Sequence, residues 1–218
     1  MLQSVNVISD VVCPWCFIGK RHLEAALAEY RRRHPEQAPS VHWHAYQLNP
    51  DLPGGGADRR TYLERKFGGP QRAAEIYAHV AQAGQRAGLD FQFDRILMQP
   101  NTTQAHRLIA RAADEGTQDA MVEALFRAYF LDGRNLTDDT VLADLAEEAG
   151  LDRDAASAFL ASDALTDRVT DDAALAQRIG VQGVPFFIFN QRLACSGAQP
   201  PEVLVEAMEE AAAMPAEA

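Results

Sequence analysis

The chain has 218 residues, enough for one good-sized domain or one domain carrying a large insertion. Its 47% hydrophobic and 23% charged composition is that of a globular protein, and a net charge of −11 argues against a phosphate backbone or an anionic membrane as partner. No apolar run approaches the ~18 residues needed to span a bilayer, and no basic segment followed by an apolar stretch follows Met1. A cytoplasmic chain is therefore the expectation, and in that setting disulfides are rarely structural.

Residues 4–10 read as a first strand, and the apolar run continues through Val11 and Val12. An amphipathic helix is predicted over about 15–34, with Leu23, Leu27 and Tyr30 on one face and His34-Pro35 as its stop. Residues 40–47 alternate with period two, placing Val41, Trp43 and Ala45 on one side of a second strand. Strand, helix and strand at this spacing suggest a parallel βαβ unit.

Residues 52–180 read as helical throughout. Gly54-Gly55-Gly56 forms a flexible entry, without the Lys-Ser/Thr of a phosphate loop. Helices there are punctuated by Gly68-Gly69-Pro70, Gly88, Gly116, Asp132-Gly133 and Gly150. Asn101 is the expected N-cap of a helix carrying Ala105, Leu108, Ile109 and Ala112. The stripes Met121, Leu125, Ala128 and Val141, Leu142, Leu145 are core faces. Asn101-Thr102-Thr103 and Asn135-Leu136-Thr137 match a glycosylation pattern, which a cytoplasmic chain makes coincidental. From 181 the pattern returns to β: Phe186–Phe189 is a strand, Asn190-Gln191 turns, and Arg192–Ser196 completes a hairpin. Pro200-Pro201 opens a last helix, and Met214–Ala218 is an expected frayed tail. The organisation expected is an α/β domain made of 1–50 and 181–218, with 51–180 as an inserted helical domain.

The chemistry concentrates in Cys13-Pro14-Trp15-Cys16, where the first helix begins. Residues i and i+3 share a helix face, so the two sulfurs can meet within the first turn. Pro14 suits the first helical position. A cysteine just ahead of it sees unpaired N–H groups and the positive end of the helix dipole, both of which favour the nucleophilic thiolate. A zinc knuckle is the rival reading, but a structural zinc wants four ligands. Only Cys195 remains, and the six histidines offer no H-x-x-x-H pair; His42 and His44, on one face of a strand, are the only adjacent candidates. Cys195, on the predicted hairpin, reads as a small core residue, with a third redox thiol as the alternative.

Gly183-Val184-Pro185 precedes the Phe-rich strand. Together with the C-x-x-C and the β order it resembles the thioredoxin superfamily, in which a cis-proline at this place packs beside the disulfide. The helical insertion narrows the likeness to the DsbA-like branch, and further to its FrnE-type proteins. The supporting stretches run from Ser9–Lys20 through Leu48-Asn49-Pro50, Asn101-Thr102, Ala105–Leu108 and Gly183–Phe187 to Ser196–Pro201. The resemblance implies a thioredoxin-like fold with a helical insertion and thiol–disulfide oxidoreductase or isomerase activity. Cys13 would be the exposed nucleophile and Cys16 the sheltered resolving thiol. Pro14, Trp15, Val184 and Pro185 would bind substrate, with the Val184 backbone pairing an extended chain as an added strand.

Two positions depart from the pattern. Val7 stands where many relatives keep a buried carboxylate, six positions before the nucleophile, while the orientation of Asp10 is open; and Pro-Trp replaces the histidine-containing dipeptide of secreted DsbA proteins. A couple less oxidising than the about −120 mV of DsbA is therefore expected. No metal or bound cofactor is assigned; glutathione is a candidate co-substrate, held by Val184 and the N–H groups of Ser196-Gly197. Expected partners are proteins or small molecules bearing thiols or disulfides, with no nucleic acid or membrane. The rival classes are a glutathione-dependent 2-hydroxychromene-2-carboxylate isomerase or kappa-type glutathione transferase, which typically place serine at position 13, and a non-catalytic peptide-binding or chaperone module.

Overall fold

In a computed structural model of the chain, residues 1–215 are described; of the expected frayed tail Met214–Ala218, residues 216–218 lie outside them. β1 (Ser4–Ser9), α1 (Pro14–Arg33) and β2 (Ser40–Ala45) form the anticipated βαβ unit, with β1 and β2 parallel and Val7 opposite Trp43. β5 (Phe186–Phe189) joins β1 antiparallel on its other side, and β6 (Leu193–Ser196) pairs with β5, giving the order β2-β1-β5-β6. Asn190 and Gln191 both take positive φ, 51° and 59°, which is the twist a tight hairpin needs. α9 (Pro201–Ala213) packs against α1 and completes this part of the molecule. α1 buries Phe17, Leu23, Leu27 and Tyr30, the face that its apolar spacing marks.

Between β2 and β5 run α2 (Arg59–Phe67), α3 (Pro70–Arg86), α4 (Thr103–Asp114), α5 (Gln118–Arg127), α6 (Asp139–Glu148), α7 (Arg153–Leu160) and α8 (Thr166–Arg178). This stretch is not purely helical. A short antiparallel pair, β3 (Ala57–Asp58) with β4 (Met98–Gln99), ties the start of α2 to the approach to α4. Two-residue strands carry no periodicity, so the sequence pattern could not display them. Gly56 permits the pairing: its φ is 72°, and a Cβ there would lie 2.6 Å from the Gln99 carbonyl oxygen. α4 begins at Thr103, one residue later than its Asn101 cap implies, although Asn101 Oδ1 does accept the Thr103 N–H at 3.0 Å. Asn135 makes the same turn with Thr137 at 3.1 Å, so both glycosylation-like triplets are side-chain-stabilised turns. No helix of the described residues is long and apolar enough to cross a membrane.

The insertion joins the sheet through β2, which packs on α4, α5 and α8, and through apolar and ionic contacts of α1. Phe17, fully buried, stacks on Phe126 at 5.0 Å and lies 6.2 Å from Phe91 and 6.3 Å from Phe130. Removing such a ring from a packed core costs about 3–5 kcal/mol. A continuous π-helical turn, Ala128–Asp132, follows α5 and turns Tyr129 and Phe130 inward. Arg107 of α4 is also buried, and its guanidinium gathers the Phe159, Ser162 and Ala164 carbonyls at 3.1, 2.8 and 2.7 Å, capping the end of α7. One turn beyond Cys16 on α1, Lys20 is buried with its ammonium 3.2 Å from both Asp119 and Glu123 of α5 and bonded to Glu24; Arg21 also binds Glu123.

Burial alone would push Glu123 up, but its bonds to Arg21 and Lys20 reverse this and hold the carboxyl below its ordinary value. A folded-state pKa below the unfolded one contributes stability that is present above pH about 4.3 and is lost as pH falls through the folded value. Melting temperature should therefore fall on acidification below about pH 4.3, and Glu123→Gln should flatten that limb. An acid limb identical in the variant would remove Glu123 from the account.

Candidate active site

Cys13 is the N-cap residue of α1, extended at φ −95° and ψ 110°, and Pro14 occupies the first helical turn. Its N–H donates to the Asp10 carbonyl at 3.0 Å and its own carbonyl accepts the Cys16 N–H at 3.0 Å, so the motif is closed from both sides. Cys13, Cys16 and Cys195 are all free thiols. The Cys13 Sγ lies 3.5 Å from the carbonyl oxygen of Val184, 171 residues away in the chain. The Val184–Pro185 peptide bond is cis. Gly19 lets α1 come this close, since a Cβ there would stand 2.8 Å from the Pro185 ring.

The expected contrast between an exposed and a sheltered cysteine is only one of degree. Cys13 is 6% exposed and Cys16 1%. Cys13 is covered because the Val184 carbonyl and the cleft walls close over it, a tertiary effect that helix position alone does not reveal. Burial, and next the adjacent Cys13 side chain, push the Cys16 thiol well above its ordinary range; the Ser9 hydroxyl and the Asp10 backbone N–H offset this in part. Val7 is buried in β1 with no polar function. Asp10 is fully buried, and its main chain serves both cysteines while its carboxylate turns elsewhere: Oδ2 accepts the Leu48 N–H at 2.8 Å and Oδ1 lies 3.3 Å from His106 Nε2. His106 Nε2 also lies 3.1 Å from the Tyr46 carbonyl oxygen, so that nitrogen carries the proton and donates to both. Asp10 thereby pins the end of β2 and α4 of the insertion to the cysteine turn.

Cys13, Pro14, Trp15 and Val184 line one cleft of about 290 Å³. Its other wall comes from α2 and α3, with Tyr62, Lys66 and Tyr77 among its side chains, and from Asn49 and Gln99. Trp15 reaches across to His79 of α3, ring centroids 5.9 Å apart. Lys66 donates to the Tyr62 hydroxyl at 2.7 Å, and that hydroxyl donates to Asn49 Oδ1. Behind the wall Arg59 is buried, donating to Gln99 Oε1 at 2.9 Å and to the hydroxyls of Tyr129 and Tyr77 at 2.8 and 3.1 Å. The sequence reading names none of these wall residues in a functional role. Asn49 lies in a stretch that carries the resemblance, but the others have no spacing relation to the cysteines and meet them only through packing of the insertion.

The remaining sequence candidates go elsewhere. His42 binds Ser40 Oγ at 2.9 Å, and His44 binds Asn6 Oδ1 at 2.9 Å beside Asp172, so neither meets the cysteines. Cys195 is half-buried on β6 opposite Phe187; burial first, and then Glu210, push its thiol up. The Gly197 N–H, expected to be available to a carboxylate, is taken by the Pro185 carbonyl at 2.8 Å. The Gly197 N–H is therefore not free for a glutathione carboxylate.

Because Cys16 holds its proton to higher pH than an ordinary thiol, alkylation of the reduced protein by iodoacetamide at pH 8 should label Cys13 ahead of Cys16, with Cys16 reacting only on denaturation. Peptide mapping by mass spectrometry checks the order. Cys16 labelling at the rate of an unfolded peptide would contradict the burial argument.

The sequence matches the DSBA-like thioredoxin domain over residues 4–209. A probable DsbA oxidoreductase of Streptomyces coelicolor is 32% identical, superposes with a TM-score of 0.89, and is matched over 99% of this chain and 92% of its own. YwbO, an uncharacterised protein of Bacillus subtilis, is 26% identical over 152 residues, 70% of this chain and 68% of that protein. The cytosolic disulfide reductase DsbM of Pseudomonas aeruginosa, solved with GSH, shares the fold at 21% identity and a TM-score of 0.68, over 97% of this chain and 100% of that one. By the extent of the domain match and by the Streptomyces relative, the chain belongs to the DSBA-like thioredoxin family.

Proposed function

We propose that this protein is a thiol–disulfide oxidoreductase of the FrnE-like type whose exchanging pair is Cys13 and Cys16. The observation that carries the reading is the free Cys13 thiol at the head of α1, facing the Val184 carbonyl and opening into a cleft, with Cys16 behind it in the same turn. Reduced Cys13 attacks one sulfur of a substrate disulfide, forms a mixed disulfide and releases the other sulfur as a thiolate. Cys16 then attacks the Cys13 sulfur, releasing the second substrate thiol and closing the Cys13–Cys16 disulfide. The oxidised pair runs the same steps backwards with a substrate dithiol. Pro14 and Trp15 offer an apolar shelf, and the backbone at Val184-Pro185 pairs with extended substrate.

A second reading, with glutathione as co-substrate, draws support from Lys66, which lines the same cleft beside Asn49 and has no carboxylate within salt-bridge distance among the described residues. A cationic wall residue of that kind suits the carboxylate of a small thiol. Cysteine rather than serine at position 13, with its partner at Cys16, ranks disulfide exchange above glutathione conjugation or isomerisation. A cytoplasmic setting, with thiol- or disulfide-bearing proteins or small thiols as partners, completes the reading.

Cys13→Ser should abolish reduction of insulin disulfides, while Cys16→Ser should accumulate mixed disulfides visible on non-reducing gels. Full activity in Cys13→Ser would remove the proposal. With no cationic residue between the cysteines, equilibration against glutathione should place the couple below the about −120 mV of DsbA. A potential as high as that value would overturn the inference from the Pro-Trp dipeptide.

A further inference from the structure

Tyr77 is held from three sides. Its ring meets Phe93 edge-on at 4.7 Å and Phe67 edge-on at 6.2 Å, and its hydroxyl oxygen accepts from the buried Arg59 at 3.1 Å. Arg59 has no carboxylate partner among the described residues; its hydrogen-bond acceptors are Gln99, Tyr129 and Tyr77. A phenol that accepts from a guanidinium must send its own proton elsewhere. For Tyr129 the Met98 carbonyl at 3.2 Å and Gln99 Oε1 at 3.3 Å can take it. For Tyr77 no acceptor exists among the described residues, yet the side chain lines the cleft that contains Cys13. A polarised phenol O–H that lacks an acceptor thus belongs to a side chain on the wall of the cleft where sulfur chemistry is proposed.

We infer that Tyr77 donates a hydrogen bond to the substrate sulfur that departs when Cys13 attacks, with Arg59 as the residue that positions and polarises it. This rests on the dithiol reading above. Attack on a disulfide runs along the S–S axis, so the departing sulfur lies on the side of the substrate away from Cys13, and α2 and α3 supply the wall of the cleft that does not carry the cysteines. The Cys13 thiolate forms a bond to the near sulfur, the substrate S–S bond breaks, and its electron pair leaves on the far sulfur as a thiolate. Burial pushes the Tyr77 phenol above its ordinary range, against the opposing pull of Arg59, so it keeps its proton and stabilises the thiolate without ionising; solvent supplies the final proton. By microscopic reversibility the same donor steadies an incoming substrate thiolate when the oxidised protein is reduced. A donor placed where charge develops acts on the transition state more than on the bound disulfide.

Leaving-group dependence is the readout, because a merely structural defect would not discriminate between leaving thiols. Second-order rates of reduced protein with bis(2-hydroxyethyl) disulfide, whose alkyl thiolate leaves poorly, are compared with 2,2′-dithiodipyridine, whose thiolate is already stabilised. Tyr77→Phe, which keeps the ring packing, should slow the alkyl disulfide roughly tenfold, the worth of one charge-assisted hydrogen bond, and the pyridyl disulfide by about twofold at most. Arg59→Gln should give a smaller loss with the same selectivity. Should either variant fail to fold, 3,5-difluorotyrosine at position 77, a more acidic donor on the same ring, should quicken the alkyl disulfide relative to the pyridyl one. Equal effects on both disulfides, or none, in a protein whose wild type exchanges with both would overturn the role of Tyr77. A wild type that exchanges with neither would instead bring down the dithiol reading itself.

Discussion

The close approach of the first turn of α1 to the Val184–Pro185 peptide is the constraint on which the site depends. It brings together two segments 171 residues apart, and only because Gly19 presents no side chain to the Pro185 ring. The same approach sets the Cys13 sulfur against the Val184 carbonyl and leaves Cys16 inside, where desolvation keeps it protonated. An asymmetric thiol pair follows from helix geometry and burial without any charged residue in the motif. Asp10 reinforces this from the opposite side, since its main chain closes the turn and its carboxylate ties the turn to Leu48 and His106.

The insertion is held to that arrangement by α1 together with β2. Phe17 sits in an aromatic cluster with Phe91, Phe126 and Phe130, and one turn further Lys20 and Arg21 bind carboxylates of α5. Residues adjacent to the cysteines in sequence therefore share the interface with β2, whose Trp43 exchanges hydrogen bonds with Gln118 and donates to Asp119 of α5. A buried ammonium is costly unless paired, and Lys20 meets that condition by facing three carboxylates near the surface.

Much of the sheet was legible because its signals are local. Val41, Trp43 and Ala45 alternate cleanly, Asn190-Gln191 marks a turn with positive φ, and Cys13-Pro14 announces a helix start. Glycine punctuation separated the helices of the insertion for the same reason, as at Gly68, a left-handed C-cap at φ 80°. What escaped is non-local. β3 and β4 pair across 40 residues with only two residues each, and Tyr62, Lys66, Tyr77 and Gln99 reach the cleft by packing that no periodicity encodes. The exposure of Cys13 was misjudged on the same ground, because its cover comes from residue 184.

Arg59 links these points. In an interior, a guanidinium with only neutral partners costs more than the hydrogen bonds it makes would ordinarily return, so packing alone does not account for it. Its donors fix Gln99 and Tyr77 on the cleft wall and Tyr129 in the π-helical turn behind them. π-helical turns concentrate where an ordinary helix would aim a side chain wrongly, and here the turn brings the Tyr129 hydroxyl within 2.8 Å of the guanidinium. Arg59 itself lines a neighbouring pocket rather than the cleft that holds Cys13, so it reaches that cleft only through the Gln99 and Tyr77 side chains that it holds. On the dithiol proposal the charged species are anionic sulfurs, and Arg59 would act on them through the Tyr77 hydroxyl that it bonds rather than as a permanent ion-pair partner.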